Sequence, residues 1–174
     1  MAGDRNYGVH DIVIRPAREE EAAAIVSLLH GAFAQYDEFL APRSGAMDET
    51  VATIAARLRD ETCLVALAGA TPVGCVFHKP RGEGIYFGRL AVLPERRGRG
   101  LARRLVAAVE AAAAEAGAAA VTLGVRIALP DNVAFFTALG YREIAREAHP
   151  GFAEPTSLTM EKRIRPVRVA CSSA

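Results

Sequence analysis

The sequence predicts a single α/β (α+β) domain, and three observations carry that expectation. Apolar residues recur with helical spacing in some stretches and with strand-like continuity in others, in the order β-α-α-β-β-β-α-β-α-β-β. Near the middle, an apolar run ends at Pro94, a basic segment carries Gly98 and Gly100, and an Ala- and Leu-rich helical pattern begins. No internal repeat or linker interrupts this order, so residues 12–164 read as one domain. Residues 1–11 read as a flexible N-terminus and residues 165–174 as a flexible tail.

Each element follows from local pattern. Ile12, Val13 and Ile14 before Arg15-Pro16 read as a first strand. Glu19, Glu20 and Glu21 oppose the dipole of a helix opening near Ala17, with Ile25, Leu28, Leu29 and Phe33 on its apolar face. The pattern breaks around Pro42 and Gly45. A second helix is expected over about residues 47–60, with Val51, Ile54, Ala55 and Leu58 on one side. Residues 63–68 and 73–78 read as a hairpin turned at residues 69–72. A further turn at residues 81–84 leads into a strand over 85–93. The helix over about 99–116 is expected to bury Leu101, Leu105, Ala108, Val109 and Ala112 and to stop at Gly117. Residues 119–125 are strand-like, residues 130–139 form a short helix ended by Gly140, and residues 141–147 and 156–163 read as two closing strands.

Composition narrows the function classes. At 174 residues the chain can bury one substantial core, and 51% hydrophobic with 24% charged residues is the balance of a soluble globular protein. A net charge of +1 gives no bulk electrostatic case for a nucleic-acid or membrane partner. Cys63, Cys75 and Cys171 lack CxxC or zinc-ligand spacing, and Cys63 and Cys75 lie in apolar runs where a thiol packs as a small core residue. No metal is expected. Without an apolar signal core or a stretch near the ~18 residues of a membrane span, the expected setting is cytoplasmic.

Positive charge is instead local: Arg96, Arg97, Arg99, Arg103 and Arg104 surround the two glycines. Glycines there allow several main-chain N–H groups to point one way, and a helix start adds about half a positive charge. Such a site suits a phosphate. A nucleotide P-loop would need Lys-Ser or Lys-Thr after the last glycine, and a Rossmann turn would need Gly or Ala where Arg103 stands. The stretch Leu90-Ala91-Val92-Leu93-Pro94-Glu95-Arg96-Arg97-Gly98-Arg99-Gly100-Leu101-Ala102 resembles the coenzyme A pyrophosphate loop of the GNAT superfamily of N-acetyltransferases. Gly98 and Gly100 match its Q/R-x-x-G-x-G/A motif, and Glu95 departs from the first position. Residues 132–141, Asn-Val-Ala-Phe-Phe-Thr-Ala-Leu-Gly-Tyr, resemble the superfamily's N…A-F-Y-x-x-L-G-F/Y segment, and the element order agrees over residues 12–163. The resemblance implies the GNAT fold: a mixed, mostly antiparallel sheet of about seven strands with a splayed pair in the middle, flanked by about four helices.

It also implies a chemistry: attack of a primary amine on the thioester of acetyl-CoA. By that resemblance Leu90, Ala91 and Val92 bind the pantetheine arm, and the Val92 N–H polarises the acetyl carbonyl. The amides of Arg97, Gly98, Arg99, Gly100, Leu101 and Ala102 hold the pyrophosphate, with charge from the side chains of Arg97, Arg99 or Arg103. Asn132 and Phe136 fall beside the cofactor arm. Phe136 stands where many members carry the tyrosine that protonates the leaving thiolate, which leaves water as the proton source or slows turnover. The carboxylate that members place on the fourth strand is also missing. Tyr86 aligns with its position, Glu83 lies in the preceding turn, and His78 is a third group that would line a water path. Tyr36 and Phe39, with Asp37 and Glu38, offer rings and carboxylates to a cationic acceptor, and His149 lies in a turn facing the same mouth. The implied partner is a small-molecule or peptide amine, and the superfamily commonly forms homodimers.

Two rivals follow from the same residues. A CoA-binding regulator of this fold would keep the loop and lack efficient turnover, as Phe136 suggests. A nucleic-acid module would use the arginine cluster, against which stand the near-zero net charge and the lack of aromatics interleaved with it.

Overall fold

Strands whose residues are apolar on both faces need cover on both sides, and the second and third strands of this chain are of that kind. The computed structural model describes residues 12–165. Residues 1–11, the tail beyond Arg165, and Cys171 lie outside them. The chain divides into two compact units, Met1–Lys79 with Gly88–Ala107, and Pro80–Phe87 with Ala108–Ala174.

The first unit opens with β1 (Ile12–Pro16), a 3-10 turn at Glu19–Glu21 and α1 (Ala22–Phe33). The helix begins later than the expected residue 17. Arg15 grips Glu21 through two hydrogen bonds of 2.7 and 2.8 Å, and the Arg18 N–H donates to the same carboxylate. After a 3-10 turn at Ala34–Tyr36, α2 occupies Val51–Asp60 rather than starting at 47. Thr50 and Thr53 exchange side-chain and main-chain hydrogen bonds and fix its first turn there. β2 (Thr62–Ala68) pairs antiparallel with β1 and with β3 (Thr71–Arg81), which is longer at both ends than expected.

Cys63, Cys75, Phe77 and Ala91 pack against Ile25, Leu28, Leu29, Ala32 and Ile54 of α1 and α2. Both cysteines are buried free thiols, as the sequence indicates. On the opposite face, Gly74 admits the start of α3 (Leu101–Glu115). A Cβ at Gly74 would lie 3.1 Å from the Ala91 carbonyl oxygen and 3.2 Å from the Leu105 side chain. Within α3, Leu101, Leu105, Val106, Val109 and Ala113 are buried, whereas Ala108 and Ala112 are only half-buried.

β4 (Gly84–Val92) follows β3 through a turn with Gly82 at φ 60°. In the second unit its first residues pair in parallel with β5 (Ala120–Arg126), from Ile85↔Val121 to Phe87↔Leu123. β5 then pairs antiparallel with β7 (Ser157–Arg163), and β7 with the edge strand β6 (Arg142–Glu147), so the strand order is β1-β2-β3-β4-β5-β7-β6. The core of this unit joins Val121, Leu123, Leu158 and Met160 to an aromatic cluster that includes Phe136 of α4 (Pro130–Ala138). Seven strands in a mixed sheet and four α-helices match the expected fold class.

Candidate active site

β4 ends at Val92, and Pro94–Arg96 forms a single 3-10 turn. That turn satisfies two amides internally: the Arg96 N–H donates to Leu93 O (2.9 Å) and the Arg97 N–H to Pro94 O (3.2 Å). Gly98 and Gly100 then take φ of 71° and 77°, a region that favours glycine. No atom lies within 4 Å of a Cβ built at either, so the requirement is conformational rather than steric. The next main-chain bond is Arg104 N–H to Gly100 O (3.1 Å). Among the described residues, the amides of Gly98, Arg99, Gly100, Leu101, Ala102 and Arg103 make no hydrogen bond. Any helix start leaves its first-turn amides free. Here the two glycines extend that run upstream, where the helix dipole adds positive potential.

The surrounding arginines divide into two kinds. Arg97 donates through Nε to Val92 O (3.0 Å) and through Nη2 to Ala32 O (2.8 Å). Its guanidinium, expected on phosphate, therefore serves as a strut between β4, the turn and α1. Arg104 Nη2 similarly donates to Ile12 O (2.8 Å). Arg99 and Arg103 are exposed and make no ion pair or hydrogen bond among the described residues.

Val92 occupies the strand edge turned away from β3. The Leu93 N–H donates to Val73 O (3.1 Å), and alternation along the strand turns the groups of Val92 to the other side. The Val92 carbonyl there accepts from Arg97. Leu90 is half-buried, and Ala91 belongs to the core beneath α1 and α2. The pairing of β4 with β5 ends at Phe87↔Leu123, five residues short of the end of β4. Within this stretch, unpaired with β5, Arg89 takes φ 52°, a left-handed conformation that a non-glycine residue rarely adopts.

The second unit holds the remaining expected residues of the cofactor and base sets. Glu83 is exposed in the turn before β4. Tyr86 is half-buried beneath the Arg81 guanidinium (5.3 Å), with its hydroxyl over Gly124 of β5. Asn132 lies in the first turn of α4, its side-chain amide without a hydrogen bond among the described residues. Phe136 is buried, with ring centroids 6.0 Å from Phe87, 6.0 Å from Tyr141 and 5.1 Å from Phe135. The Tyr141 hydroxyl donates to Glu110 Oε1 (3.0 Å), and burial with the adjacent carboxylate pushes that phenol upward, away from proton donation.

His149 is spoken for. Its Nδ1 donates to Thr156 Oγ1, and its Nε2 accepts from Arg126 Nη1 (3.3 Å). Burial, and then the Arg126 charge, lower its pKa, which keeps the imidazole neutral. His78 is likewise lowered by burial, and its Nε2 is buried without a hydrogen bond among the described residues.

In the segment after α1, the rings of Phe33, Tyr36 and Phe39 form a chain with centroids 6.0 Å apart. Asp37, expected to face an amine, is paired with Arg43, which also reaches Asp48 (3.1 Å). Sequence reasoning missed the polar hub beside it. Glu49, 7% exposed, accepts from Thr53 Oγ1 (2.7 Å), Arg57 Nη1 (3.0 Å) and Arg89 Nε (3.1 Å). Burial alone would raise this carboxyl, but those donors outweigh it and hold it below the ordinary range. Its carbonyl bonds His30 Nε2 (3.0 Å). Forty residues separate Glu49 from Arg89, and no local pattern links them.

Among the described residues, no group of three or more His, Cys, Asp or Glu side chains is placed to hold a metal, and no helix is long and apolar enough to cross a membrane. Comparison with known structures finds the same fold repeatedly. The PaiA N-acetyltransferase of Thermoplasma acidophilum, solved in complex with coenzyme A, superposes with TM-score 0.74 at 18% identity, over 87% of this chain and 98% of that one. A GCN5-related N-acetyltransferase from Rhodopseudomonas palustris gives TM-score 0.71 at 26% identity, over 87% and 95%. The ribosomal-protein-S18-alanine N-acetyltransferase of Escherichia coli gives 0.71 at 16%, over 88% and 94%. No curated protein sequence matches significantly. Residues 25–141, more than half of the chain, match the family model described as the acetyltransferase (GNAT) family. The chain, with its glycine-bent turn between β4 and α3, belongs to the GNAT family of acetyltransferases.

Proposed function

We propose that this protein is a single-domain, cytoplasmic enzyme that transfers the acetyl group of acetyl-CoA to a primary amine by direct attack of the nitrogen on the thioester carbonyl. The observation that carries this reading is the run of six amides over residues 98–103 that have no partner among the described residues, at the end of a strand whose Val92 edge faces away from β3. Those amides hold the pyrophosphate, and Arg99 and Arg103 add charge-assisted bonds to its oxygens. Leu90, Ala91 and Val92 offer the pantetheine arm a strand edge. The Val92 N–H stabilises the developing oxyanion, a contribution of about 10²–10³ in rate for donors of this kind. The family resemblance also assigns Asn132 and Phe136 to the cofactor arm. As the C–N bond forms and the C–S bond breaks, the nitrogen releases its proton to water, with Tyr86 lining the path. The thiolate, whose conjugate acid has a pKa near ~8.5, takes a proton from water because Phe136 has none to give. Tyr36 and Phe39 line the acceptor's approach.

The test is release of free thiol from acetyl-CoA in the presence of a panel of amines, with wild type beside Gly100→Glu. The carboxylate in that variant should abolish CoA binding by charge and bulk while the circular dichroism spectrum stays native. Wild-type affinity in Gly100→Glu would remove the site from this loop. Phe136 favours one second reading, a CoA-binding regulator. Tight CoA binding with no amine-dependent thiol release would decide for it.

A further inference from the structure

Arg89 stands in β4 three residues before Val92, in a left-handed conformation that a non-glycine residue adopts only where its surroundings enforce it. Its Nε is fixed by Glu49 at 3.1 Å, while Nη1 and Nη2 have no partner among the described residues and the side chain is 29% exposed. The charges run in alternation: Arg89, Glu49, Arg57, Glu61, Lys79, with contacts of 2.8 to 3.1 Å. Three cations therefore share two carboxylates. The surplus charge cannot rest on Arg57, which has a carboxylate on each side and lies over the Phe77 ring. It falls at the two ends, and the Lys79 end is 46% exposed to water. The Arg89 end is more enclosed, and Glu49 holds it through Nε, which leaves the two Nη atoms unpaired among the described residues.

Beside that fork a side chain would intrude: apart from Arg89 Nη2, no atom lies within 4 Å of a Cβ built at position 45. Position 45 is glycine, and a Cβ built there would lie 3.2 Å from Arg89 Nη2. The nearby Asp37 and Asp48 are paired with Arg43. A guanidinium oriented from behind, with both terminal nitrogens unpaired, is the geometry that takes a carboxylate through two parallel hydrogen bonds. Three residues of strand separate it from Val92 by at most about 10 Å, the scale of an amino acid or a short peptide end.

We infer that Arg89 selects the acceptor: the amine that is acetylated carries a carboxylate, and the Nη1 and Nη2 edge of Arg89 binds that carboxylate. This rests on the transferase reading above and names its substrate class. An unpaired cation left facing an amine that lacks the carboxylate is what makes the site discriminate.

Paired acceptors test it, tyrosine against tyramine and lysine against cadaverine, with thiol release from acetyl-CoA as the readout. Wild type should favour the carboxylate member by at least roughly tenfold in kcat/KM. In Arg89→Gln that ratio should collapse to within about threefold through KM for the carboxylate member, and Arg89→Lys should restore part of it, having the charge without the fork. Should Arg89→Gln fail to fold, Gly45→Ala crowds Nη2 and should raise KM for the carboxylate member severalfold. Amine-dependent thiol release with equal or reversed preference in wild type, or with the preference intact in folded Arg89→Gln, overturns the inference and leaves the transferase standing. Absence of amine-dependent release across all four acceptors, with CoA bound, overturns both.

Discussion

Arg97 Nη2 donates to the carbonyl of Ala32 across 2.8 Å, and that bond fastens the basic turn after β4 to the end of α1. The Nε of the same side chain holds the Val92 carbonyl at 3.0 Å. One guanidinium thus sets the position of the strand edge and of the amides beyond it. Arg97→Ala should lower stability by about 1–3 kcal/mol in urea titration and weaken acetyl-CoA binding with it. Arg99→Ala removes an exposed cation without a partner among the described residues. It should leave stability within about 0.5 kcal/mol and weaken binding about three- to tenfold, by less at high salt. The opposite assignment, with Arg97→Ala neutral for stability, would show the strut to be dispensable.

The glycines make a second contrast. Gly98 and Gly100 are in the left-handed region with open space around them, so alanine at either costs only conformation, about 1–2 kcal/mol. Acetyl-CoA affinity should fall by a similar factor, because the amide run loses its alignment. Gly74→Ala instead drives a methyl against the Ala91 carbonyl and Leu105. It should cost about 1–3 kcal/mol by overpacking. Calorimetric titration with CoA beside urea denaturation separates the two behaviours.

His78 gives the stability a pH dependence of known sign. It is 9% exposed, burial lowers its pKa, and Nε2 has no hydrogen bond among the described residues. The folded state therefore binds fewer protons than the unfolded state between the lowered value and about 6.5. The His78 contribution to stability therefore falls with acidification across that window and levels off below it. His149, also lowered, acts in the same direction. His78→Leu should unfold at higher urea than wild type at pH 5, by a margin larger than at pH 8. Equal margins at the two pH values would show that His78 is not the group responsible.

The element order was legible because periodicity is local: Ile25, Leu28 and Leu29 mark one face of a helix wherever it packs. The glycine-bent turn was legible for the same reason, since left-handed Gly98 and Gly100 are specified by the residues themselves. Helix starts were less so. Glu21 recruits Arg15, and Thr50 recruits Thr53, each shortening the helix that hydrophobic spacing alone would draw. Side-chain roles were least legible. Arg97 reads as a phosphate ligand until Ala32, 65 residues away, claims its Nη2. Asp37 reads as free until Arg43 pairs with it, and Arg89 passes unnoticed because its partner is forty residues away. Long-range pairing of charges leaves no periodic trace.

Phe136 leads to a prediction about rate. Its ring is 7% exposed among Phe87, Phe135 and Tyr141 and carries no titratable proton, while the Tyr141 hydroxyl is tied to Glu110. If water protonates the thiolate, only deprotonation of the acceptor should shape the profile. The logarithm of kcat/KM should rise with pH at unit slope until the free amine dominates, near its ordinary pKa of ~10, and should then level off without a falling limb. A bell-shaped profile descending below that pH would reveal a protein acid at the sulfur and refute the water pathway. Phe136→Tyr sharpens the test by placing a phenol where other family members carry one. If it reaches the thiolate, a falling limb should appear and kcat should rise by up to about tenfold. If the added hydroxyl is left buried without a partner in the free protein, it should cost about 1–3 kcal/mol of stability.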